Sequence, residues 1–202
     1  MIMLSAIVLA AGLSKRMGTA NKLLLKYKNR TVVEIVVENV IASGIEEVIV
    51  VTGHEPELIQ NVLSNLPVKT VYNPFYEKGM TTSIQTGITL SQGNGYMICL
   101  SDMVLLASED YAALKASFEQ QVQVDKKCIC IPVFNGQKGN PVIFSSFYRE
   151  LILQSEYMEG CKNIIANCKE NVHLVQMNTS NILTDIDNPE DYNKLSQLTD
   201  SQ

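Results

Sequence analysis

The sequence predicts an α/β fold with a doubly wound, mostly parallel, Rossmann-like sheet. Strand-like apolar runs alternate with helix-like segments through the first half of the 202-residue chain, the pattern of crossovers between parallel strands. Residues 48–51 are apolar throughout, as expected for a strand buried on both faces. A hydrophobic content of 46% and a charged content of 18% are globular values and exclude disorder. Since no linker or repeat divides the chain, we expect one domain over residues 1–202.

The first half of the chain has clear element boundaries. Residues 7–9 close the first strand, and a loop of small and basic residues follows. Residues 31–34 have the form of a capping box and predict a helix, which Gly44 ends. The elements that follow are a strand at Glu47–Thr52, a helix from Pro56 to about residue 64, a strand at 68–72, a helix after Gly79, a strand at 96–100 and a helix from Ser108.

The second half is less regular. Strands near 128–134 and 142–144 flank a turn at 135–141, which predicts an antiparallel excursion of the sheet. Asn188 and Pro189 predict the start of a last helix. Between them we expect short helices near 147–153 and 160–168 and strands at Val172–Gln176 and 182–187.

Charge is distributed unevenly along the chain. The net charge of −5 argues against a nucleic-acid partner, which usually binds a basic domain. The first 33 residues nevertheless contain no acidic residue, and an acidic protein with one basic segment suits a small anionic ligand. The cations of that segment are Lys15, Arg16, Lys22, Lys26, Lys28 and Arg30.

The cysteines and the first residues bear on the cellular compartment. The five cysteines form no C-x-x-C pair, so we expect reduced core residues rather than a zinc site. Residues 1–11 are apolar, but they lack a basic segment in front and are too short to span a bilayer. They therefore predict a buried strand of a cytoplasmic protein without a membrane partner.

The most informative stretch is L-A-A-G-L-S-K-R-M-G at residues 9–18, with Lys22 just beyond. Gly12 and Gly18 can adopt positive φ and expose backbone N–H groups to an anion. Lys15, Arg16 and Lys22 add positive charge, and a triphosphate needs both kinds of contact. Five residues separate the two glycines, so the stretch is not a Walker A loop, and no G-x-G-x-x-G is present.

Candidate metal ligands follow two later strands. Asp102 comes directly after the strand at 96–100, and Mg²⁺ prefers one or two carboxylates together with phosphate oxygens. Because ligands bind at the carboxyl ends of parallel strands, we expect Asp102 to meet the basic loop. Asp185 and Asp187 share one face if their segment is extended. Capping of the following helix is the alternative role, and it explains Asp187 better than Asp185.

The pattern L-A-A-G-x-S-x-R-M-G…K resembles the signature loop of the MobA-like nucleotidyltransferases, most closely their molybdenum-cofactor cytidylyltransferase branch. The resemblance continues through residues 51–54, 79–83, 102–103, 139–142 and 185–191. It implies a fold of the nucleotide-diphospho-sugar transferase type and Mg²⁺ as cofactor. An L-A-A-G opening, with Ala11 in place of glycine, is associated in this family with cytidine over guanosine nucleotides, and its methyl group can act sterically.

The resemblance also implies the site residues. It places Leu9, Ala10, Ala11, Gly12, Ser14, Lys15, Arg16, Lys22, Thr52, Gly53, Ser83 and Ser101 around the nucleotide. Arg16 and Lys22 would contact the phosphates and act in catalysis together with Asp102. The metal would lie on Asp102 with Asp185, Asp187 or both. The acceptor would lie against His54, Gly139, Asn140 and Pro141; the alternative role of His54 is that of a turn residue bonded by the backbone.

Two departures from the family pattern keep alternatives open. The family's G-D-M-P is Ser101–Val104 here, and its G-H-P-V is Gly139–Val142, with Asn140 in place of histidine. The leading hypothesis is transfer of CMP from CTP to the phosphate of molybdopterin. Asn140 motivates a sugar, alditol or choline phosphate acceptor, and the altered Asp102 segment motivates a non-catalytic molybdenum-cofactor accessory protein. We expect a monomer or small homo-oligomer, with a molybdoenzyme as the possible protein partner.

Overall fold

The computed structural model describes residues 2–18 and 20–199; Met1, Thr19 and residues 200–202 of the expected domain lie outside the described residues. The strands in these ranges are β1 (Leu4–Ala10), β2 (Lys26–Tyr27), β3 (Arg30–Thr31), β4 (Glu47–Thr52), β5 (Lys69–Tyr72), β6 (Gly95–Leu100), β7 (Ile129–Phe134), β8 (Gln137–Lys138), β9 (Val142–Ser145) and β10 (Val172–Gln176). The α-helices are α1 (Val32–Ala42), α2 (Pro56–Leu63), α3 (Met80–Leu90), α4 (Ser108–Val124), α5 (Arg149–Leu153), α6 (Lys162–Asn167) and α7 (Pro189–Thr199).

The main sheet has the strand order β10-β7-β9-β6-β1-β4-β5, and β8 pairs with β7. Strand β1 lies parallel to both β4 and β6, while β9 runs antiparallel between β6 and β7. The prediction of a doubly wound, mostly parallel sheet with an antiparallel excursion is therefore confirmed. Strands β2 and β3 form a separate hairpin.

Helices cover both faces of the sheet, because the side chains of a strand alternate between its two faces. Ala6 and Val8 of β1 pack into one core with α1, α2 and α4, and Ile7 packs into a second core with α3, α5 and α6. Helix α1 begins with the predicted capping box: the Glu34 N–H donates to the Thr31 hydroxyl, and the Glu34 carboxylate accepts the Thr31 N–H at 2.7 Å.

The parallel register brings three loops to one edge of the sheet. Leu9 of β1 lies beside Val51 of β4 and beside Leu100 of β6. The Ser101 hydroxyl donates to the Leu9 carbonyl at 2.6 Å and ties the end of β6 to the end of β1. The chain segments after Ala10, Thr52 and Leu100 therefore emerge together, as the sequence predicts for a ligand site.

The predicted strand at residues 182–187 is wrong. Ser180–Leu183 form a 3-10 turn, and the residues after it are irregular. The backbone of this segment binds separate loops instead of a strand ladder: the Ile182 carbonyl accepts the Asn140 N–H at 3.0 Å, and the Ile186 N–H donates to the Asp102 carbonyl at 3.2 Å. The segment therefore crosses the carboxyl edge of the sheet rather than extending it.

The cysteines are unpaired, as the sequence predicts. Cys128 and Cys130 lie on one face of the β7 segment and are fully buried in the core, and Cys99 and Cys161 are also buried. Cys168 is half-buried. Across the part of the chain that the structure describes, no helix is both long enough and apolar enough to cross a membrane.

A buried carboxylate anchors the opposite edge of the sheet. Glu47 begins β4 and accepts hydrogen bonds from the Ser5 hydroxyl, the Lys69 ammonium at 2.6 Å and the Gln92 N–H at 3.0 Å. Burial raises the pKa of Glu47, but these three donors outweigh it and hold the pKa below its ordinary value of 4.5. The folded protein therefore stabilises the ionised form of Glu47 and binds fewer protons there than the unfolded chain.

We expect Glu47→Gln to lower the free energy of unfolding at pH 7 by about 1–3 kcal/mol, because it removes a buried charged acceptor from three hydrogen-bond donors. Because the pKa of Glu47 is lower in the folded protein than in the unfolded chain, its ionised form stabilises the fold at pH values above the unfolded pKa. This stability is lost as the pH falls through the folded pKa. The difference between Glu47→Gln and the unsubstituted protein should therefore shrink below about pH 4.5. Urea unfolding across this range measures it, with the exposed Glu57→Gln as control. A pH-independent difference would contradict the assignment.

Candidate functional site

A cleft of about 370 Å³ opens at the carboxyl edge of the sheet. Its walls come from the loop after β1, the start of α3, the end of β6 and the segment before α7. Eleven of the residues that line it were predicted from the sequence: Leu9, Ala11, Gly12, Ser14, Arg16, Lys22, Ser83, Ser101, Asp102, Asp185 and Asp187. The structure thus brings the basic loop, the acid after β6 and the two late acids into one cleft.

The loop after β1 takes its shape from Ser14 and Gly18. Ser14 adopts a left-handed conformation with φ of 50°, and its carbonyl accepts the Met17 N–H at 2.8 Å to close a 3-10 turn. Gly18 then turns the chain again with φ of 68°. Positive φ is thus found at Gly18 but not at Gly12, where an added Cβ would meet open space. The turn presents the Arg16 side chain at the mouth of the cleft.

Lys22 is held in place by its neighbours. It begins a second 3-10 turn, Lys22–Leu24. In this turn the Leu23 N–H donates to the Asn21 side-chain oxygen at 3.1 Å. The Asn21 amide nitrogen donates in turn to Glu55 at 3.1 Å, and the Lys22 N–H lies 3.3 Å from the Ser14 hydroxyl. This backbone arrangement directs the ammonium group of Lys22 into the cleft.

Two cations of the cleft form ion pairs with two of its three acids. The Lys22 ammonium contacts Asp102 Oδ2 directly and lies 3.5 Å from Asp187 Oδ1. Arg16 Nη1 lies 2.8 Å from the other oxygen of Asp187. The Lys22 and Asp102 side chains are only 16% and 12% exposed, against 68% for Arg16. Solvent therefore screens the Lys22–Asp102 pair less than the Arg16–Asp187 pair.

Three carboxylates in the cleft fit a divalent cation. Asp102, Asp185 and Asp187 each offer an oxygen within 4.8 Å of the others. Asp102 Oδ1 is buried and has no hydrogen-bond partner among the described residues, which leaves it free for a metal ligand bond. Burial raises the pKa of Asp185, and the carboxylates of Asp102 and Asp187 raise it further. Mg²⁺ suits such a site because it binds hard oxygen donors.

Several other predicted residues lie beneath or beside the cleft. The side chains of Ala10 and Thr52 are buried under its floor, and the Thr52 hydroxyl donates to the Val71 carbonyl, so both reach a ligand only through their backbone. Gly53 packs so tightly that an added Cβ would lie 2.6 Å from Tyr76 and 2.8 Å from Ala11. Lys15 is exposed outside the cleft.

The residues assigned to the acceptor are divided by the structure. Gly139 and Asn140 line a small cavity of about 140 Å³, which shares Leu100 and Asp185 with the cleft. Pro141 is buried behind them. His54 lies apart on the turn after β4, 3.8 Å from Glu55, and lines neither cavity.

The hydroxyl groups at the start of α3 form hydrogen bonds within the protein. The Thr82 hydroxyl donates to the Gly79 carbonyl at 3.0 Å, and the Thr81 hydroxyl bonds a loop behind the helix. Ser83 lines the cleft, but its hydroxyl accepts a hydrogen bond from Asn73 at 3.0 Å. These hydroxyls are therefore already used to fix the helix against its neighbours.

Sequence reasoning missed the lining residues Leu23, Tyr76 and Leu100, whereas Gly79 and Met80 lie in the 79–83 segment that it had singled out. The Tyr76 side chain stands against Gly53 beside Ala11. A signal for Tyr76 was present, since it follows β5, whose carboxyl end lies at the same edge of the sheet as those of β1 and β4. The rule that identified Asp102 therefore applies to it as well.

The amino-acid sequence is similar to those of known proteins. A model of the MobA-like NTP transferase domain matches residues 6–173. A protein of Natranaerobius thermophilus named probable molybdenum cofactor guanylyltransferase is 31% identical over 132 residues, which cover 65% of this chain and 61% of that protein. The chain thus matches about three fifths of this relative's length.

Solved structures share the fold at low sequence identity. A nucleotidyl transferase from Methanothermobacter has a TM-score of 0.85 and 21% identity, with 99% of each chain covered. A Mycobacterium tuberculosis protein in complex with manganese has a TM-score of 0.79 and 18% identity over 96% of this chain and 98% of that one. Together these structures establish the nucleotide-diphospho-sugar transferase type of fold.

We expect Lys22→Met to strengthen binding of Mn²⁺ to the nucleotide-free protein by about tenfold. The substitution removes a positive charge that contacts Asp102 and repels a cation from the three acids, and such a charge about 4 Å away is worth about 1–4 kcal/mol near a protein surface. Electron paramagnetic resonance of free Mn²⁺ measures the affinity, with Lys15→Met as control. Weaker Mn²⁺ binding in Lys22→Met would show that the acids do not form the metal site.

Proposed function

The chain belongs to the MobA-like NTP transferase family, a family of nucleotidyltransferases, and from this premise we propose that it transfers CMP from CTP to the phosphate of molybdopterin with release of pyrophosphate. The observation that carries the proposal is the cleft in which Lys22 and Arg16 meet three carboxylates. Because these groups come from the start, middle and end of the chain, we further propose that residues 1–202 act as one nucleotidyltransferase domain.

The proposed reaction needs alignment and charge neutralisation more than acid–base chemistry. An oxygen of the acceptor phosphate attacks the α-phosphorus of CTP and forms the new P–O bond. The bond from the α-phosphorus to the bridging oxygen breaks, and pyrophosphate leaves with its electron pair. The acceptor phosphate is already ionised near neutral pH, so no general base is required.

Arg16 and Lys22 would bind the phosphates of CTP, for which they exchange their contacts with Asp187 and Asp102. Asp102, together with Asp185 and Asp187, would hold Mg²⁺, as the unpartnered Oδ1 of Asp102 supports. When bound, Mg²⁺ neutralises negative charge on the phosphate oxygens. The manganese complex of a structural relative is consistent with a divalent cation in this fold.

Base selectivity is proposed to lie in the wall made by Ala11, Gly53 and Tyr76. The Tyr76 side chain and the Ala11 methyl group pack against Gly53, 2.6 Å and 2.8 Å from the position that a Cβ there would take. A narrow pocket favours the smaller cytosine over guanine. Guanylyl transfer is the second candidate, because the curated relative from Natranaerobius thermophilus is named a probable guanylyltransferase.

The CTP substrate and the unpaired cysteines support a cytoplasmic location.

We expect Asp102→Asn to lower CTP-dependent pyrophosphate release with molybdopterin by about 10²–10³-fold, the loss typical when one charge-stabilising group is removed from an active site. Asp110→Asn is the matched control, since among the described residues the Asp110 carboxylate accepts only the Ala107 N–H, at the start of α4 and outside the cleft. CTP binding that is independent of Mg²⁺ and of Asp102, with no pyrophosphate release from the unsubstituted protein, would favour a non-catalytic accessory protein and contradict the proposal.

We expect Ala11→Gly to shift kcat/KM toward GTP relative to CTP by about tenfold, because one methyl group in a close-fitting pocket is worth about 1–3 kcal/mol of discrimination. Steady-state kinetics with both nucleotides measures the ratio. Ala10→Gly provides the same chemical change one residue earlier, where the side chain points into the core, and should leave the ratio unchanged. Preference for GTP in the unsubstituted protein would replace the cytidylyl assignment by the guanylyl one.

A further inference from the structure

A groove of about 440 Å³ lies between α6 and the edge strand β10, and it shares no lining residue with the cleft. Three lysines line the groove, Lys138, Lys162 and Lys169. Its other lining residues are apolar and form the floor: Ile165, Ala166, Val172 and Leu174. The groove therefore combines an apolar floor with positive charge, in a chain whose net charge is −5.

Two of these lysines are available to a ligand. Lys162 lies 3.7 Å from Glu159, whereas Lys138 and Lys169 form no ion pair with any carboxylate of the described residues. Lys138 is paired in the sheet with Val133, which in turn lies beside Gln176 at the end of β10. Lys169 instead precedes the start of β10. The two free ammonium groups thus belong to opposite ends of the strand, which is about 13 Å long from its first residue to its last.

Strand β10 is an edge of the main sheet, and no strand of the described residues pairs with its outer side. Just after β10, the Met177 N–H donates to the Val133 carbonyl at 2.9 Å and continues the parallel ladder with β7. Since backbone groups alternate between the two sides of a strand, the N–H and carbonyl groups of Leu174 and Gln176 point to the outer side. Such an edge is a template for another extended chain.

The side chains of β10 show which face of an added strand would meet the groove. Leu174 is 58% exposed and shares a face with Val172, which packs against the α6 side of the sheet. His173 points to the opposite face, where its Nε2 lies 3.0 Å from an oxygen of Asp125. One alternate set of side chains on an added strand would therefore lie next to Leu174 and between the two free lysines.

We propose that β10 and this groove form a docking surface for an acidic, extended segment of a partner protein, which adds to the sheet as a further strand. An apolar side chain of the segment packs beside Leu174, and acidic side chains two positions before and after it bind Lys138 and Lys169. A second copy of β10 fits poorly, because pairing would bring the lysines of two copies together. The docking surface lies outside the cleft and does not depend on the reaction proposed there.

A fluorescein-labelled peptide, Thr-Glu-Thr-Val-Thr-Glu-Thr, tests the docking surface on the full chain by fluorescence anisotropy. Its valine and both glutamates share one face, and the glutamates are four residues apart. We expect saturable binding that weakens at least tenfold when glutamine replaces both glutamates. Absence of saturable binding would overturn the proposal. Displacement of the peptide by inorganic tripolyphosphate at equal concentration would show a general anion site and would also overturn it.

Leu174→Asp and Lys169→Glu are expected to weaken peptide binding at least tenfold, because each places negative charge in the groove beside the acidic segment. Both side chains are exposed, so neither change disturbs the core. Leu58→Asp and Lys194→Glu make the same changes at exposed positions outside the groove, and they should leave the affinity within twofold. Unchanged affinity in both groove variants would overturn the proposal.

Amide hydrogen exchange, followed by NMR, distinguishes strand addition from contact with the groove alone. The peptide should slow exchange at the Leu174 and Gln176 amides at least fivefold and leave Val175, whose N–H already faces β7, almost unchanged. Peptide binding without this protection would contradict strand addition. Self-association of the peptide-free protein that Leu174→Asp abolishes would assign the edge to a second copy and overturn the partner segment.

Discussion

The contact between Lys22 and Asp102 is the interaction on which the site depends. The two residues are 80 positions apart in sequence, and they meet because β1 and β6 are parallel neighbours whose carboxyl ends coincide. The Ser101 hydroxyl fixes the end of β6 on the Leu9 carbonyl, and Asn21 fixes the turn that carries Lys22. Ordinary hydrogen bonds to the backbone thus set the position of the charged groups.

The same contact solves an electrostatic problem of the ligand-free protein. Three carboxylates within 4.8 Å repel one another, and Asp102 is nearly buried, so an uncompensated cluster would destabilise the fold. Lys22 and Arg16 compensate two of these charges from the opposite wall of the cleft. In the proposed reaction a triphosphate with its cation would supply partners for both sets of charges, so neither set would be left unpaired.

The sequence predicts the sheet and the basic loop because both depend on local patterns. Apolar runs and the capping box of α1 identify the strands and the helix. The position of Asp102 after a buried strand predicts that it lies at the carboxyl edge of the sheet. The segment at 182–187 misled the analysis, because its alternation is that of a strand while its hydrogen bonds go to distant loops. Tyr76 was missed because it lies in the turn after β5, beyond the residues that directly follow the strand.

Helix α3 has a consequence for the rigidity of the cleft wall. Ser83 of this helix lines the cleft, and the Thr81 hydroxyl, on the same turn, accepts the Gly160 N–H at 2.9 Å. The Gln85 side chain extends this attachment by donating to the Ser155 carbonyl at 2.9 Å. The cleft wall and residues 155–160 are therefore parts of one unit, and a movement of either would carry the other with it.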